Sequence, residues 1–202
     1  MTPLRPFFLT LLSLFAAPCL FASPAAGESE PAGRPPGKGL VLFDFSAPGA
    51  GDDWRVVNDD VMGGVSRSDS RTQDGSLHFH GVLSLENNGG FASVRRRTAP
   101  RDLGPATHVV LRVKGDGRTY RLQLGTSAQF RRSRIAYQAE FATRAGEWIE
   151  ARVPLASLVP TYRGENLSGP PLDHAGIEEF GFLLADGRAG AFALEVAWMR
   201  AE

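Results

Sequence analysis

The chain has 202 residues, of which 43% are apolar and 22% are charged, and its 22 Lys and Arg residues balance its 22 Asp and Glu residues. The length fits one domain with a substantial core, and the composition excludes a largely disordered chain. A net charge of zero argues against a protein that grips nucleic acid through bulk electrostatics, so no nucleic-acid partner is predicted.

The first 22 residues have the layout of a secretory signal. Arg5 precedes an apolar stretch over residues 7–21, and small residues follow. Such a stretch is too short and too weakly flanked for a convincing membrane span. We predict cleavage after Ala22, with a later alanine as the alternative, and a mature chain without an integral membrane span. The predicted location is therefore exported, periplasmic or otherwise extracytoplasmic.

The segment after this signal predicts a tether. Residues 23–39 are rich in Pro, Gly, Ser and charge and have no apolar periodicity. A lipid anchor through Cys19 is an alternative, although Pro18 directly before it fits a lipoprotein signal poorly. Cys19 is the chain's one cysteine, so no disulfide or thiolate site is predicted in the mature part. A single folded domain is predicted over residues 40–202.

From Leu40 onward the apolar residues recur with a period of two, which predicts half-buried antiparallel strands. The alternating segments are 40–45, 77–83, 107–113, 119–125, 135–141, 147–153, 178–186 and 191–201. In the last segment, the positions expected to share one face are Phe192, Leu194, Val196 and Trp198. The sequence Gly-Asp-Gly at 115–117 is predicted to form a hairpin tip.

Helical signals are scarce. Residues 154–159, PLASLV, are the one segment that predicts a short helix, with Pro154 in a first-turn position. Many strands, little helix and no alternation of strands with helices predict an all-β fold, an antiparallel β-sandwich or jelly roll.

Motifs for catalysis are missing from the sequence. It contains no serine-hydrolase elbow, dinucleotide fingerprint, P-loop or zinc-protease motif. His78 and His80 lie two apart in a predicted strand, a spacing able to hold a metal, but an outward polar face is the commoner outcome. Arginines at 95–97 and 131–134 alternate between sheet faces, so neither run predicts one basic patch. No catalytic residue, cofactor or metal is predicted.

Residues 54–68, WRVVNDDVMGGVSRS, form the most unusual stretch of the chain. Asp59 and Asp60 are adjacent, but neighbouring side chains diverge in an extended backbone, so a proton-sharing pair is not favoured. A calcium loop would need six to eight oxygen ligands, and the usual alternating Asp spacing does not occur. Calcium binding therefore stays open but is not the leading interpretation.

The favoured interpretation of this stretch is a structural end loop. Asn58 and the aspartates would bond local backbone amides, while Gly63 and Gly64 would adopt dihedral angles closed to other residues. Val61 and Met62 would plug the end of the sandwich. A binding surface built on the rim of the loop is the second hypothesis, with these candidate residues: Trp54, Asn58, Asp59, Asp60, Met62, Gly63, Gly64 and Ser66.

Three short sequences are more specific than the strand pattern. They are N-D-D-V-M-G-G-V-S at 58–66, F-x-G-x-L-S at 79–84 and N-G-G-F-A at 88–92. Together with residues 153–164 and 177–201, they resemble the complex I intermediate-associated protein 30 family over nearly the whole folded part. The resemblance implies a galactose-binding-like jelly-roll sandwich. It also implies a non-catalytic role, because mitochondrial members act as assembly factors for respiratory complex I by binding partner proteins.

The leading functional hypothesis is a non-catalytic, exported protein-binding module of assembly-factor type. The alternative is a carbohydrate-binding module, which would need an exposed aromatic platform such as Trp54, Trp148 or Tyr162 beside polar groups. If Trp54 and Trp148 both turn inward, that alternative loses its best platform. A small enzyme using Asp59 or Asp60 lacks an evident partner base or nucleophile.

Overall fold

The computed structural model describes residues 33, 35 and 39–202. The predicted signal segment, Cys19 and most of the predicted tether lie outside the described residues. The first strand begins at Leu40. The division of the chain into signal, tether and domain stays a prediction.

Strands make up most of the described chain, and the helical elements are three short 3₁₀ turns at Asp59–Met62, Glu86–Asn88 and Leu155–Ser157. The strands are β1 (Leu40–Asp44), β2 (Arg55–Asn58), β3 (Arg67–Gln73), β4 (Ser76–Leu83), β5 (Ala92–Arg101), β6 (His108–Gly115), β7 (Thr119–Phe130), β8 (Ser133–Ala142), β9 (Trp148–Pro154), β10 (Val159–Tyr162), β11 (Glu165–Asn166), β12 (Ile177–Leu184) and β13 (Gly190–Ala201).

These strands form two sheets. The first sheet has six strands in the order β3-β4-β13-β6-β9, with β1 also paired to β13. The second sheet has seven strands in the order β11-β10-β8-β7-β12-β5-β2. All of these named strands pair in antiparallel fashion. The predicted antiparallel β-sandwich is confirmed.

The period-two pattern places the core correctly in most strands. In β4, Leu77 and Phe79 are buried, whereas His78 and His80 on the other face are partly exposed. At the start of β7, the partly exposed Thr119 and Arg121 alternate with the buried Tyr120 and Leu122 in the same way. Because successive side chains of a strand point to opposite faces, one such face per strand suffices to build the core between the sheets.

The last strand departs from the predicted alternation. Its register to β6 shifts between Val196 and Trp198, so one extra residue is inserted at that point. A bulge of this kind moves every following side chain to the opposite face. Met199 therefore enters the main core, while Trp198 packs with Val110 in a separate small cluster, against which the partly buried Trp148 lies. The prediction that Trp198 shares the face of the preceding apolar residues is wrong for this reason.

The predicted helix at 154–159 is reduced to a single turn. Pro154 ends β9, the 3₁₀ turn covers Leu155–Ser157, and Val159 already begins β10. Between two strands this close, the segment has length for one i→i+3 bond, from the Leu158 N–H to the Leu155 carbonyl at 3.2 Å. None of the helices among the described residues has the length and hydropathy to cross a membrane.

Five connections cross between the sheets at the same end of the sandwich: β2–β3, β4–β5, β6–β7, β8–β9 and β12–β13. The register places their strand ends together, since Ala92 at the start of β5 lies opposite both Asn58 and Leu184. Likewise, Leu83 at the end of β4 lies opposite Gly190 at the start of β13. We call this end the crossing end, and the unusual stretch at 54–68 lies there.

Candidate functional site

The β2–β3 connection is a short turn with a sharp stop. The chain leaves the second sheet at Asn58 and makes one 3₁₀ turn over Asp59–Met62. The turn ends at Gly63, whose left-handed backbone (φ 92°, ψ 4°) is costly for residues with a Cβ. The N–H of Gly63 donates to the Asp60 carbonyl at 3.0 Å, and that of Gly64 donates to the Asp59 carbonyl at 2.9 Å.

The Asp59 carboxylate is fully buried at the centre of the crossing end. Its Oδ1 accepts the Ser66 N–H at 2.9 Å. Its Oδ2 accepts the Ser66 hydroxyl at 2.6 Å, the Gly90 N–H at 2.7 Å and the Phe91 N–H at 3.3 Å. These four hydrogen bonds are unevenly shared, with three to Oδ2 and one to Oδ1. The side chain thus fastens the β2–β3 connection to the β4–β5 connection.

Two glycines give this carboxylate its space. A Cβ on Gly64 would lie 2.3 Å from the Asp59 Cγ, and a Cβ on Gly89 would lie 2.6 Å from its Oδ2. Neither approach is physically allowed, so both positions must lack a side chain. The two motifs D-D-V-M-G-G-V-S and N-G-G-F-A are therefore the two halves of one enclosure around a single buried charge.

The environment keeps Asp59 ionised. Burial raises its pKa, but hydrogen bonds from the Ser66 side chain and from the Gly90, Ser66 and Phe91 amides more than offset that effect, so the pKa lies below its ordinary value. A buried, ionised carboxylate that accepts four hydrogen bonds is suited neither to proton transfer nor to metal binding. Among the described residues, no group of three or more His, Cys, Asp or Glu side chains could hold a metal ion.

Several details of the predicted end loop are corrected. Asp60 is exposed, and its Oδ1 accepts only the N–H of the neighbouring Val61, at 3.1 Å. Asn58 accepts the Ser68 hydroxyl at 2.5 Å rather than a backbone amide. Val61 and Met62 are 68% and 56% exposed, so they do not plug the sandwich. With about three residues per 3₁₀ turn, an inward Asp59 directs the side chains of Asp60 and Val61 outward.

Trp54 belongs to the core rather than to the loop rim. It is 9% exposed and packs against Phe43, Phe45 and Phe182, with ring centroids 5.3, 5.5 and 5.9 Å away. Its indole N–H donates to the Ala50 carbonyl at 3.1 Å. Of the predicted binding residues, Trp54 and Asp59 are buried, whereas Asn58, Asp60, Gly64 and Ser66 line a shallow cavity beside the loop.

Exposed apolar side chains gather on the two fastened connections. Of the nine large hydrophobic residues exposed in the described part of the chain, five come from the short ranges 61–65 and 82–85. The two ranges are tied by bonds between Asn87 and the Gly63 carbonyl and between the Ser66 hydroxyl and the Ser84 carbonyl. We call the five side chains the apolar end surface: Val61, Met62, Val65, Val82 and Leu85. Met62 is its one member among the predicted binding residues.

A second polar junction lies at the crossing end, where residues 115–117 connect the two sheets and do not form the predicted hairpin tip. The buried Arg118 donates to both oxygens of Asp186, at 2.9 and 2.6 Å, and to the Ala191 carbonyl at 3.2 Å. Hydrogen bonds from Arg118 hold the pKa of Asp186 below its ordinary value. Asp116 accepts the Tyr120 hydroxyl, and burial raises the pKa of that tyrosine. This network fastens the β6–β7 connection to the β12–β13 connection.

Residues 43–196 match the family described as Complex I intermediate-associated protein 30 (CIA30). The chain belongs to this family. A named relative is "Complex I intermediate-associated protein 30, mitochondrial" of Drosophila melanogaster, 28% identical over 192 residues. The alignment covers 83% of this chain and 64% of the relative, so this CIA30 chain spans less than two thirds of that protein's length.

Solved structures share the fold of this CIA30 chain. The family 11 carbohydrate-binding module of cellulase Lic26A-Cel5E from Clostridium thermocellum superposes with a TM-score of 0.62 at 13% identity, covering 81% of this chain and 94% of that one. The agarase AgWH50C gives a TM-score of 0.54 at 13% identity, with 82% of this chain and 25% of that one covered. At such identities the likeness concerns the fold alone, and it confirms the galactose-binding-like sandwich.

The comparison also corrects the predicted location. The name of the Drosophila relative places that protein in the mitochondrion, which contradicts the exported or periplasmic location predicted from the N-terminal sequence. The prediction depended on an apolar stretch at 7–21 that lies outside the described residues. Apolar composition alone was an insufficient basis for naming a compartment.

Proposed function

We propose that this CIA30-family protein is a non-catalytic, protein-binding module of the assembly-factor type. In this proposal the apolar end surface contacts the partner. The observation that carries it is the exposure of five large apolar side chains, four on two connections fixed by one buried carboxylate and the fifth, Val82, at the end of β4. Contiguous exposed apolar patches on a soluble domain commonly mark interaction sites.

Rigidity supports this role for the surface. Loops that are ordered only on binding lose part of the interaction energy to conformational entropy, whereas a fixed loop avoids that cost. Here most of the apolar side chains lie on the two connections that Asp59 joins, and its four hydrogen bonds fix both connections before any partner arrives. The five exposed side chains are not part of the hydrophobic core, so they are available to contact a partner.

The proposed partner is a protein with an apolar contact face within an assembling complex. The relative named above is called a complex I intermediate-associated protein, so a subunit of a respiratory complex I intermediate is the first partner to test. Because the core of an interface is depleted in charge, the uncharged character of the apolar end surface fits such a contact.

Site-specific photo-crosslinking in the native cell tests this proposal. A photoreactive side chain at Met62 should give a defined crosslinked protein, identified by mass spectrometry. The same group at Val159, which is 40% exposed on β10, serves as the matched control and should not. The combined variant Val61→Ser and Met62→Ser should lose the partner while keeping the wild-type melting temperature. Equal crosslinking from both positions, or full retention of the partner by the double variant, would reject the proposal.

The carbohydrate-binding alternative loses one of its predicted platforms, Trp54, and keeps two that are partly exposed. Trp54 is buried, and Trp148 is partly buried with Lys114 and Arg112 placed 5.3 and 5.9 Å from its ring centroid. Tyr162 is partly buried and meets Phe130 edge-on at 5.3 Å. A glycan array probed with the full chain separates the two functions, since a specific glycan signal unaffected by the Val61 and Met62 changes would favour carbohydrate binding.

A further inference from the structure

The outer face of the second sheet carries an unusual row of cross-strand neighbours. Arg55 of β2 lies opposite Arg95 of β5, and Arg95 lies opposite Gly181 of β12. The row continues through Gln123 of β7 to Gln138 of β8. With neighbouring strands about 4.8 Å apart, these five positions form one continuous line across the sheet.

The first two members of this row are like charges placed directly opposite one another. Such a pair destabilises an antiparallel sheet unless an anion lies nearby. Arg95 is partly buried, and its one hydrogen bond to the described chain runs from Nε to the Ser93 hydroxyl at 3.0 Å. Within residues 39–202, its two Nη atoms have no acceptor and neither Arg55 nor Arg95 has a carboxylate partner. Burial lowers the pKa of Arg95, which reflects the cost of holding this charge there.

The carboxylates on this face are already engaged elsewhere. Glu179 accepts Arg97 Nε at 3.1 Å and Gln123 Nε2 at 3.2 Å. Glu140 accepts both Nε and Nη2 of Arg121, at 3.2 and 3.0 Å. Glu179 therefore pairs directly with Arg97 and acts on Arg95 only through space, and neither carboxylate is hydrogen-bonded to Arg55 or Arg95.

Glycine at 181 leaves room for the Arg95 side chain. A Cβ there would lie 3.1 Å from the Arg95 Cγ and 2.8 Å from the Val94 carbonyl oxygen. The missing side chain lets the stem of Arg95 extend over β12, so its guanidinium is held by Ser93 on one side and keeps its two Nη groups free for an external acceptor.

We infer that Arg55 and Arg95 form a binding site for a carboxylate of an acidic peptide segment. The planar guanidinium fork matches the two oxygens of a carboxylate. A singly charged group suits the site better than a phosphate dianion, because Glu179 lies close enough to Arg95 to act on it electrostatically. The site occupies the sheet face rather than the apolar end surface, and it stands independently of the proposed function.

Peptide titration on the full chain tests this site. The probes are a fluorescent hexa-glutamate peptide, its hexa-glutamine counterpart and inorganic phosphate, all at low salt. Wild-type protein should bind the glutamate peptide and release it in 1 M NaCl. Arg95→Gln should weaken binding about tenfold or more, and Arg95→Lys, which keeps the charge but not the fork, should weaken it measurably. Arg71→Gln removes an equally exposed arginine from β3 of the other sheet and should leave binding unchanged.

A charge reversal separates a binding role from a structural one. Arg55→Glu places a carboxylate opposite Arg95, so it should raise the melting temperature by about 1–3 °C while abolishing peptide binding. Loss of binding without loss of folding would support the site. Absence of glutamate-peptide binding by the wild type, equal weakening by Arg71→Gln, or tighter binding of phosphate than of the peptide would each overturn it.

Discussion

Two junctions at the crossing end each hold a pair of inter-sheet connections together, but they use different chemical groups. Asp59 fastens the β2–β3 and β4–β5 connections through N–H groups and one hydroxyl, without a cation. Arg118 and Asp186 fasten the β6–β7 and β12–β13 connections through a two-pronged ion pair and backbone carbonyls. Both bury charge where the chain passes between the sheets.

The difference lies in what each junction demands of the sequence. Backbone donors can approach a carboxylate closely only if neighbouring positions lack side chains, so the Asp59 junction requires Gly64 and Gly89. The Arg118–Asp186 junction requires two particular side chains 68 residues apart, and the nearby Gly115 makes its close approach to Thr143 rather than to the ion pair. The first junction therefore leaves a local sequence motif, and the second leaves none.

Removing the Asp59 carboxylate should have the largest effect. Asp59→Ala leaves the Ser66, Gly90 and Phe91 amides without their acceptor, so we expect a loss of about 3–5 kcal/mol in the free energy of unfolding. Urea denaturation followed by tryptophan fluorescence measures it. Asp60→Ala is the matched control and should change stability by less than about 0.5 kcal/mol, since Asp60 is exposed. A similar cost for both variants would contradict the assigned role of Asp59.

Breaking the Arg118–Asp186 ion pair should cause the second-largest loss of stability. Arg118→Met leaves Asp186 without its main partner at a position close to solvent, so we expect a loss of about 2–4 kcal/mol. In the double variant Arg118→Met with Asp186→Leu, no uncompensated charge remains, and part of that stability should return. A double-mutant cycle by urea denaturation measures the coupling, and additive effects would show that the two side chains act separately.

Substituting alanine for each of the two loop glycines should lower stability by different amounts and for different physical reasons. Gly64→Ala drives a Cβ into the Asp59 carboxylate and should cost about 2–3 kcal/mol. In Gly63→Ala the new Cβ meets no atom within 4 Å. Its only cost is the left-handed backbone conformation, about 1 kcal/mol of stability. Thermal melts of the two variants compare them. If backbone strain, rather than the close approach of a Cβ to Asp59, determined the loss of stability, Gly63→Ala would be the more destabilising variant.

Acid should weaken both junctions. The pKa values of Asp59 and Asp186 are both lowered in the folded protein, by backbone and hydroxyl donors in one case and mainly by Arg118 in the other. Their contributions are complete above about pH 4–5 and are lost as the pH falls through the folded-state pKa values. Calorimetry between about pH 6 and pH 2 should show a shallower decline for Asp59→Asn than for wild type. Parallel curves would contradict this linkage.

The period-two pattern was sufficient to predict the sandwich, because burying one face of each strand determines the core. The same pattern failed in β13, where an extra residue at Ala197 redirects Trp198. The sequence around a bulge carries no periodic signal, since the bulge depends on how the partner strand pairs. Pro154 likewise predicted a helix where the closeness of two strands left room for one turn.

The sequence predicted where the candidate site lies along the chain, but not which side chains point inward or which groups they contact. The pair Gly63-Gly64 indicated a constrained loop, yet the choice between Asp59 and Asp60 depends on which side chain points inward, and that depends on the turn. The donors from Gly90 and Phe91 come from 31 and 32 residues away. The pairing of Arg118 with Asp186 was missed because nothing in either neighbourhood signals the other.

Scaffold and contact residues of the β2–β3 connection alternate along a few positions of the chain. Asp59, Gly64 and Ser66 are enclosed and cannot change singly without loss, whereas Val61 and Met62 between them touch solvent and can be replaced freely. A segment of this design can acquire a new specificity by exchanging its exposed residues while its backbone stays constant. Laboratory selection confined to positions 61, 62, 65, 82 and 85 would therefore sample new partners on an unaltered fold.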